Sequence, residues 1–298
     1  MHNLEPFKVT GIGEILWDLL PQGKQLGGAP ANFAYHSKAL GSKSSVVSAV
    51  GNDILGKEIL EKLSDSYVDS ACIQIDDHHP TGTVQVQIDS EGTPHYRIHE
   101  ETAWDNIHFT EPLKILASEA DAVCFGSLAQ RSRRSRDTID QFLRATPQNC
   151  IRIFDINLRQ RFFTPEVIEN SLNLATYFKL NDEEMAVVAD IFSFTGSEEK
   201  IIDRFFKEFK LDLVALTKHA KGSHLYTAQN HSFMKASANK IQDTVGAGDA
   251  FTAALAFFSL ERQSLKEIHH NAATLASFVC TQKGATPILT NEIRSQLK

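Results

Sequence analysis

Short apolar runs alternate with longer amphipathic ones along this chain. Apolar stretches of strand length fall at Lys8–Ile12, Ser44–Val50, Ala122–Phe125, Ile151–Phe154, Tyr177–Leu180 and Leu213–Thr217. Near-continuous runs of this kind are what strands buried on both faces of a sheet require. Between them, apolar positions recur with helical spacing. They predict helices over Ala29–Leu40, Ile54–Leu63, Glu183–Ala189, Glu198–Phe209, Ala247–Ser259 and Leu265–Thr281. Alternation of this kind is the signature of βα units around a largely parallel sheet. No low-complexity linker or internal repeat interrupts it, so residues 1–298 are expected to form one domain.

One segment breaks the rhythm. Between Thr83 and Ile88, the apolar Val84, Val86 and Ile88 alternate with Thr83, Gln85 and Gln87. Asp89-Ser90-Glu91-Gly92 then supplies turn chemistry, and His95–His99 returns as a second extended run. Such alternation predicts a half-exposed antiparallel hairpin spanning about 83–99, projecting from the α/β core. A flap in that place is either a lid over a site or a plain edge hairpin.

Composition narrows the function classes. The 298 residues are 42% hydrophobic and 22% charged, the balance of a globular chain. A chain of this length buries roughly three quarters of its unfolded surface and needs no disulfide or metal staple. The net charge of -7 argues against a nucleic acid held by general electrostatics. The basic run Arg131, Arg133, Arg134 and Arg136 is expected to be a solvated helix start or loop. Cys72, Cys124, Cys150 and Cys280 form no CxxC pair, and the last three lie in apolar stretches as small buried residues. The twelve histidines contain no HExxH, and surface positions are expected for them. His269 and His270, adjacent on a helix, point roughly 100° apart. The opening MHNLEPFKVT reads neither as a signal peptide nor as a targeting helix, and no apolar run reaches membrane-spanning length. A cytoplasmic protein without a membrane partner is expected.

The strongest chemical signal is Asp243-Thr244-Val245-Gly246-Ala247-Gly248-Asp249-Ala250-Phe251. Its small residues let backbone approach a ligand closely, and Phe251, Ala254, Leu255 and Phe258 then recur with helical spacing. A glycine-rich turn that opens a helix aims free N–H groups and the positive end of the helix dipole at one spot. Asp249 inside that turn is placed to accept a proton from an attacking hydroxyl. The amides of Gly246, Ala247 and Gly248 would then hold developing phosphoryl charge. Taken alone, Asp249 also reads as an ordinary first-turn acid. A second small-residue turn, Gly27-Gly28-Ala29-Pro30-Ala31-Asn32, opens another helix near the N-terminus.

These two segments resemble the two signature motifs of the PfkB, or ribokinase-like, carbohydrate kinase family, approximately GGxxxN and DTxGAGD, and the resemblance covers essentially the whole chain. It implies a three-layer αβα sandwich with a small β-sheet lid, and ATP-dependent phosphorylation of a sugar with Asp249 as the base. Within Gly13-Glu14-Ile15-Leu16-Trp17-Asp18, the resemblance makes Asp18 a sugar ligand beside Gly27, Gly28, Ala29 and Asn32. Leu16 stands where a dinucleotide fingerprint needs its third glycine, which weakens a dehydrogenase reading. Asp155-Ile156-Asn157-Leu158-Arg159 resembles the DxNxR strand end, with Arg159 near the phosphates, and Arg97 sits where a lid residue reaches sugar or phosphate. Asn181-Asp182-Glu183-Glu184 resembles NxxE, whose glutamate, here Glu184, holds Mg²⁺ through water. A helix cap made by Asn181 with Glu184 in the first turn is compatible with that role.

For the nucleotide the resemblance implies Asn181, Thr217 and Gly222 of Thr217-Lys218-His219-Ala220-Lys221-Gly222, then Gly284 and Ala285, with Gly246 and Gly248. Asp243 and the main-chain carbonyl of Val245 resemble a monovalent-cation site of the K⁺ type. Pairing of two copies through the lid is a further expectation. GEILWDLLP and GGAPANFA look most like fructokinases. The alternatives are 2-keto-3-deoxygluconate kinase, ribokinase, adenosine kinase and, from another class, a non-catalytic sugar-binding protein. No Walker A sequence is present, so the phosphate grip differs from that of P-loop enzymes.

Overall fold

The computed structural model describes residues 5–20, 23–88, 94–236 and 241–297. The chain begins β1 (Lys8–Ile12), β2 (Leu16–Leu20), β3 (Gly23–Gly27), α1 (Ala29–Leu40), β4 (Lys43–Gly51), α2 (Ile54–Asp65) and β5 (Ile73–Asp76). The hairpin strands β6 (Gly82–Ile88) and β7 (Pro94–Ile98) follow, then α3 (Glu111–Ser118), β8 (Ala122–Phe125) and α4 (Arg133–Ala145). Next come β9 (Ile151–Asp155), α5 (Pro165–Leu174), β10 (Tyr177–Asn181), α6 (Asp182–Ile191), α7 (Glu198–Glu208) and β11 (Leu213–Thr217). The chain closes with β12 (Ser223–Tyr226), β13 (His231–Met234), α8 (Ala247–Leu260), α9 (Leu265–Cys280) and α10 (Asn291–Gln296).

Nine strands form the main sheet in the order β13-β12-β11-β10-β9-β8-β1-β4-β5. The strands from β11 to β5 run parallel, and β12 and β13 add an antiparallel edge. Every strand expected from the apolar runs is present in this sheet.

Helices cover both faces. On one, Phe125, Phe154 and Phe178 occupy matching register positions on β8, β9 and β10 and stack at 5.2 and 5.7 Å. Phe205 of α7 closes the ladder edge-on at 5.2 Å. On the other face, α8 presents Ala250, Ala253, Ala254 and Ala256, all fully buried, so that α1, α9 and the sheet approach its backbone closely.

The hairpin is present, with Val84 opposite Ile98 and Gln85 opposite Arg97. Its turn, Asp89-Ser90-Glu91-Gly92, lies outside the described residues. It is only half of its sheet: β2 pairs parallel with β6 and antiparallel with β3, giving the order β3-β2-β6-β7. Asp18 therefore sits on a strand of this small sheet rather than in a loop after β1. Trp17, the neighbouring residue, is a core aromatic whose indole N–H donates to the Leu55 carbonyl at 3.0 Å.

Three expectations need correction. Arg133 and Arg134 are exposed as expected, but Arg131 is not solvated. Its side chain is 7% exposed, its guanidinium lies 3.9 Å from the Trp104 ring centre and 4.7 Å from that of Phe162, and it grips both oxygens of Asp105 at 2.8 Å. A planar cation sandwiched between rings and paired bidentately is stable where a solvated one is not needed. Nor are all histidines on the surface: His36 and His269 are fully buried. Burial pushes each down to about 4, so both are neutral near pH 7. His36 bonds the Ala285 carbonyl at 2.8 Å, and His269 lies between the hydroxyls of Ser223 and Ser232. Cys124 and Cys150 are buried but Cys280 is only half-buried, at the last turn of α9. Among the described residues no helix is long and apolar enough to cross a membrane.

Candidate active site

In a parallel sheet, side chains at the carboxyl ends of the strands converge on one edge, outside which ligands bind. Here that edge carries Glu14 after β1, Asp155 at the end of β9, Asn181 at the end of β10 and Thr217 at the end of β11. Asn181 and Thr217 are register partners. Above the same edge stand the N-termini of α1 and α8.

Gly246 caps α8 with φ 78°, a left-handed conformation that suits glycine. A Cβ there would also meet Ala285 main chain at 2.6 Å, so the turn before α8 lies flat against the Gly284-Ala285 turn. Asp243 joins the two turns: its oxygens accept the N–H of Val245 at 3.0 Å and that of Gly284 at 3.1 Å. Ala247 and Gly248 open the helix, and Asp249 follows as its first-turn acid.

The Asp249 carboxylate is half-buried and accepts the amide N–H of Asn32 at 2.7 Å. Burial pushes it up to about 6 and the charge of Asp155 adds to the rise, while the Asn32 bond, Lys179 and Arg159 oppose it. Asn32 is buried in the first turns of α1, so the two glycine-rich turns meet through this one hydrogen bond. Gly28 caps α1 at φ 111°, and a Cβ there would sit 2.5 Å from the Glu14 carbonyl. Ala29 begins the helix, and its N–H reaches the Glu14 carboxylate. Burial lifts that carboxyl to about 7, and its Oε2 has no hydrogen-bond partner.

On the small sheet, Asp18 of β2 is half-buried and raised to about 6 by burial, with Arg159 opposing the shift. A Cβ on Gly27 would lie 2.5 Å from its Oδ2, so the β3 backbone passes directly over this carboxylate. Arg159 is exposed, braced on Asn157 Oδ1 at 2.9 Å and on the Leu158 carbonyl at 3.1 Å, and its charge reaches Glu14, Asp18 and Asp249 together. Arg97, on the edge strand β7, is exposed, and the cation that bears on Asp18 is Arg159 instead.

Glu184 is buried. One oxygen accepts the Asn181 N–H and the other the Leu158 N–H, both at 2.9 Å, while Asn181 Oδ1 accepts the Glu184 N–H at 2.8 Å. This capping box ties the start of α6 to the loop that carries Arg159. With a backbone donor on each oxygen, Glu184 fits contact with a hydrated cation through water rather than direct ligation. Gly222 has φ 108° and passes 2.1 Å, measured from a notional Cβ, from the Met234 carbonyl, which shapes the loop after Thr217.

Sequence reasoning passed over Lys179. Its ammonium donates to both oxygens of Asp155, at 2.8 and 2.9 Å, directly behind α8. The signal was a lone cation inside the apolar strand Tyr177-Phe178-Lys179-Leu180.

The whole edge, two glycine-capped helix N-termini around a tuned carboxylate with a second carboxylate on a small sheet, corresponds to one known family. The sequence pattern described as pfkB family carbohydrate kinase matches residues 22–292. The chain belongs to that family. It is 31% identical over 301 aligned residues to PH1459 of Pyrococcus horikoshii, described as an uncharacterized sugar kinase, covering 94% of this chain and 92% of that one. The crystal structure of PH1459 in complex with ATP superposes with a TM-score of 0.81, covering 97% and 99% of the two chains. A fructokinase of Escherichia coli is 29% identical over 301 residues, covering 95% and 96%. A fructokinase double mutant of Vibrio cholerae O395, solved with fructose, ADP and potassium ion, shares the fold at a TM-score of 0.81 with 24% identity, covering 99% of each chain. This PfkB kinase is an ATP-dependent carbohydrate kinase with the ribokinase-like α/β fold.

Proposed function

We propose that this PfkB kinase is a single-domain fructokinase that transfers the γ-phosphoryl group of ATP to a primary hydroxyl of fructose. The observation that carries this reading is the Asp249 carboxylate, held by Asn32 at the N-terminus of α8, with the Arg159 charge bearing on both it and Asp18 of the small sheet. Likeness to the Escherichia coli fructokinase supports the choice of sugar.

Asp18, with backbone at Gly27, Gly28 and Ala29, holds the sugar hydroxyls. Asn32 orients the base and offers its remaining polar groups to the same sugar. Asp249 takes the proton of the attacking hydroxyl, and the Gly246, Ala247 and Gly248 amides stabilise the charge on the phosphoryl group in transfer. Arg159 neutralises charge between the two carboxylates, and Arg97 joins from the lid. Asn181, Thr217, Gly222, Gly284 and Ala285 line the nucleotide. Mg²⁺, held through water by Glu184, would offset phosphate charge. A K⁺ ion at Asp243 and the Val245 carbonyl would stiffen the turn before α8. The same reading places the enzyme in the cytoplasm, with the four-stranded sheet as the pairing surface of a homodimer.

A coupled ADP-release assay across fructose, ribose, 2-keto-3-deoxygluconate, adenosine and fructose 6-phosphate tests the substrate. A preference of roughly tenfold or more for a sugar other than fructose would overturn it and leave the kinase assignment intact.

Two smaller effects follow from the same geometry. Glu184→Gln can still accept the Asn181 N–H of the capping box but removes the charge and the acceptor for the Leu158 N–H, so the Mg²⁺ concentration for half-maximal rate should rise about tenfold with fructose KM nearly unchanged. An unaltered Mg²⁺ titration removes Glu184 from the metal's surroundings. The β2–β3–β6–β7 sheet should gain amide-exchange protection when fructose and an unreactive ATP analogue bind together. Protection confined to the nine-stranded sheet and its helices would make the small sheet a static edge.

A further inference from the structure

Lys179 lies in β10 between Phe178 and Leu180, both fully buried, and its own side chain is 8% exposed. Its partner Asp155, 4% exposed, ends the adjacent strand β9. The Asp155 carboxylate also receives the Thr252 hydroxyl at 2.8 Å, and that hydroxyl lies 2.9 Å from the Gly248 carbonyl. A Cβ added to Gly248 would stand 3.4 Å from the Lys179 ammonium. The pair thus sits directly behind the first turn of α8 and reaches it by two routes.

A buried ion pair is a poor device for stability alone, since desolvation of two charges consumes most of their attraction and an apolar pair of similar volume does as well. Its placement against the turn that carries Asp249 points to another use. We propose that the Lys179–Asp155 pair is a positioning element for phosphoryl transfer, pinning the first turn of α8 to the sheet and keeping compensated charge behind Asp249. The proposal rests on Asp249 being the base.

The groups facing Asp249 can be named element by element. Asp155 comes from β9, Lys179 from β10, Arg159 from the loop after β9, Glu14 from the loop after β1 and Asn32 from α1. Cys124 of β8 is also within electrostatic reach, as a thiol that burial keeps neutral, and Glu184 of α6 bears on Lys179. Asp155 disfavours the Asp249 carboxylate and Lys179 favours it, so the two members of the pair oppose each other, with Asp155 the larger. Loss of either member leaves the other uncompensated behind the base.

The test is pH-dependent kinetics on Lys179→Met, Asp155→Asn and the double variant, with melting temperatures measured alongside. Lys179→Met should move the acid limb of kcat to higher pH, and Asp155→Asn to lower pH, each by about one unit. Each single variant should lower kcat by about tenfold or more through displacement of the turn, with both KM values within about threefold of the parent. The double variant should bring the limb back toward the parental pH from the Lys179→Met side, ending between the two single variants. Variants that melt earlier but keep parental limbs and kcat would show a purely structural pair and overturn the proposal. Should Lys179→Met not fold, Lys179→Arg carries the test, because it keeps the charge but displaces the carboxylate. A lowered kcat with an unmoved limb supports positioning, and parental kcat overturns it. Asp249→Asn is measured beside them. Near-parental turnover there sinks the base assignment itself, whereas an inactive Asp249→Asn with unmoved limbs in the pair variants sinks only the pair.

Discussion

Asp249→Asn should lower kcat by at least ~10²-fold, within the range a positioned base supplies. The substitution keeps size and planarity, and Asn can still accept a hydrogen bond from Asn32. Nucleotide and sugar binding should therefore stay within about threefold of the parent, because the amides of the α8 N-terminus and the Asp18 side of the cleft are untouched. What disappears is a carboxylate able to take the proton of the attacking hydroxyl. The parent enzyme supplies an internal check. With Asp249 raised to about 6 by burial and Asp155, the carboxylate is ionised at neutral pH and becomes protonated as pH falls through about 6. A protonated carboxyl cannot act as base, so kcat should fall about tenfold per unit below that point. The residual activity of Asp249→Asn should lack this limb. Near-parental turnover in the variant would remove Asp249 from the proton transfer.

Six of the parallel strands, β1, β4, β8, β9, β10 and β11, were legible in the sequence because they are buried on both faces and appear as near-continuous apolar runs, while the short β5 was not. Six helices were legible from the recurrence of apolar positions, α1, α2, α6, α7, α8 and α9, whereas α3, α4, α5 and α10 were not singled out. β2 and β3 escaped for the opposite reason. Leu16-Trp17-Asp18-Leu19-Leu20 has no clean alternation, and Gly23-Lys24-Gln25-Leu26-Gly27 has almost no apolar content. Their pairing partner β6 lies more than sixty residues away for β2, and a strand stabilised by such distant pairing leaves little local signal. The site divides in the same way. Glycine-rich turns that open helices are written contiguously, so Gly246, Gly248, Asp249, Gly28 and Asn32 could be found in order. The contact between Asn32 and Asp249, 217 positions apart, could not. Arg131, His36 and His269 were misplaced because polar side chains were assigned to the surface by type. Each is buried against partners that sequence spacing does not reveal.

Asp18→Ala should raise the fructose KM about 10²-fold or more, with a change in ATP KM of no more than about threefold. The carboxylate is half-buried on β2 under the Gly27 backbone, a place where few solvent molecules compete for its oxygens. Hydrogen bonds to a charged acceptor contribute roughly 1.5–3 kcal/mol each, so loss of two sugar hydroxyl contacts accounts for a change of this size. The residues proposed to line the nucleotide, Asn181, Thr217 and Gly222, belong to β10, β11 and the loop beyond, in a different sheet from β2, which is why ATP should be little affected. Protonation offers a second handle on the same residue. Asp18 is raised to about 6, so in the parent enzyme its acceptor strength declines as pH falls through that value, and fructose KM should rise there. Asp18→Asn, which cannot ionise, should have a high fructose KM at neutral pH and show no such rise on acidification. The two limbs near pH 6 are separable, because the one from Asp249 acts on kcat and the one from Asp18 on KM. Parental fructose KM in Asp18→Ala would take the sugar away from β2, and the small sheet would then have no part in holding it.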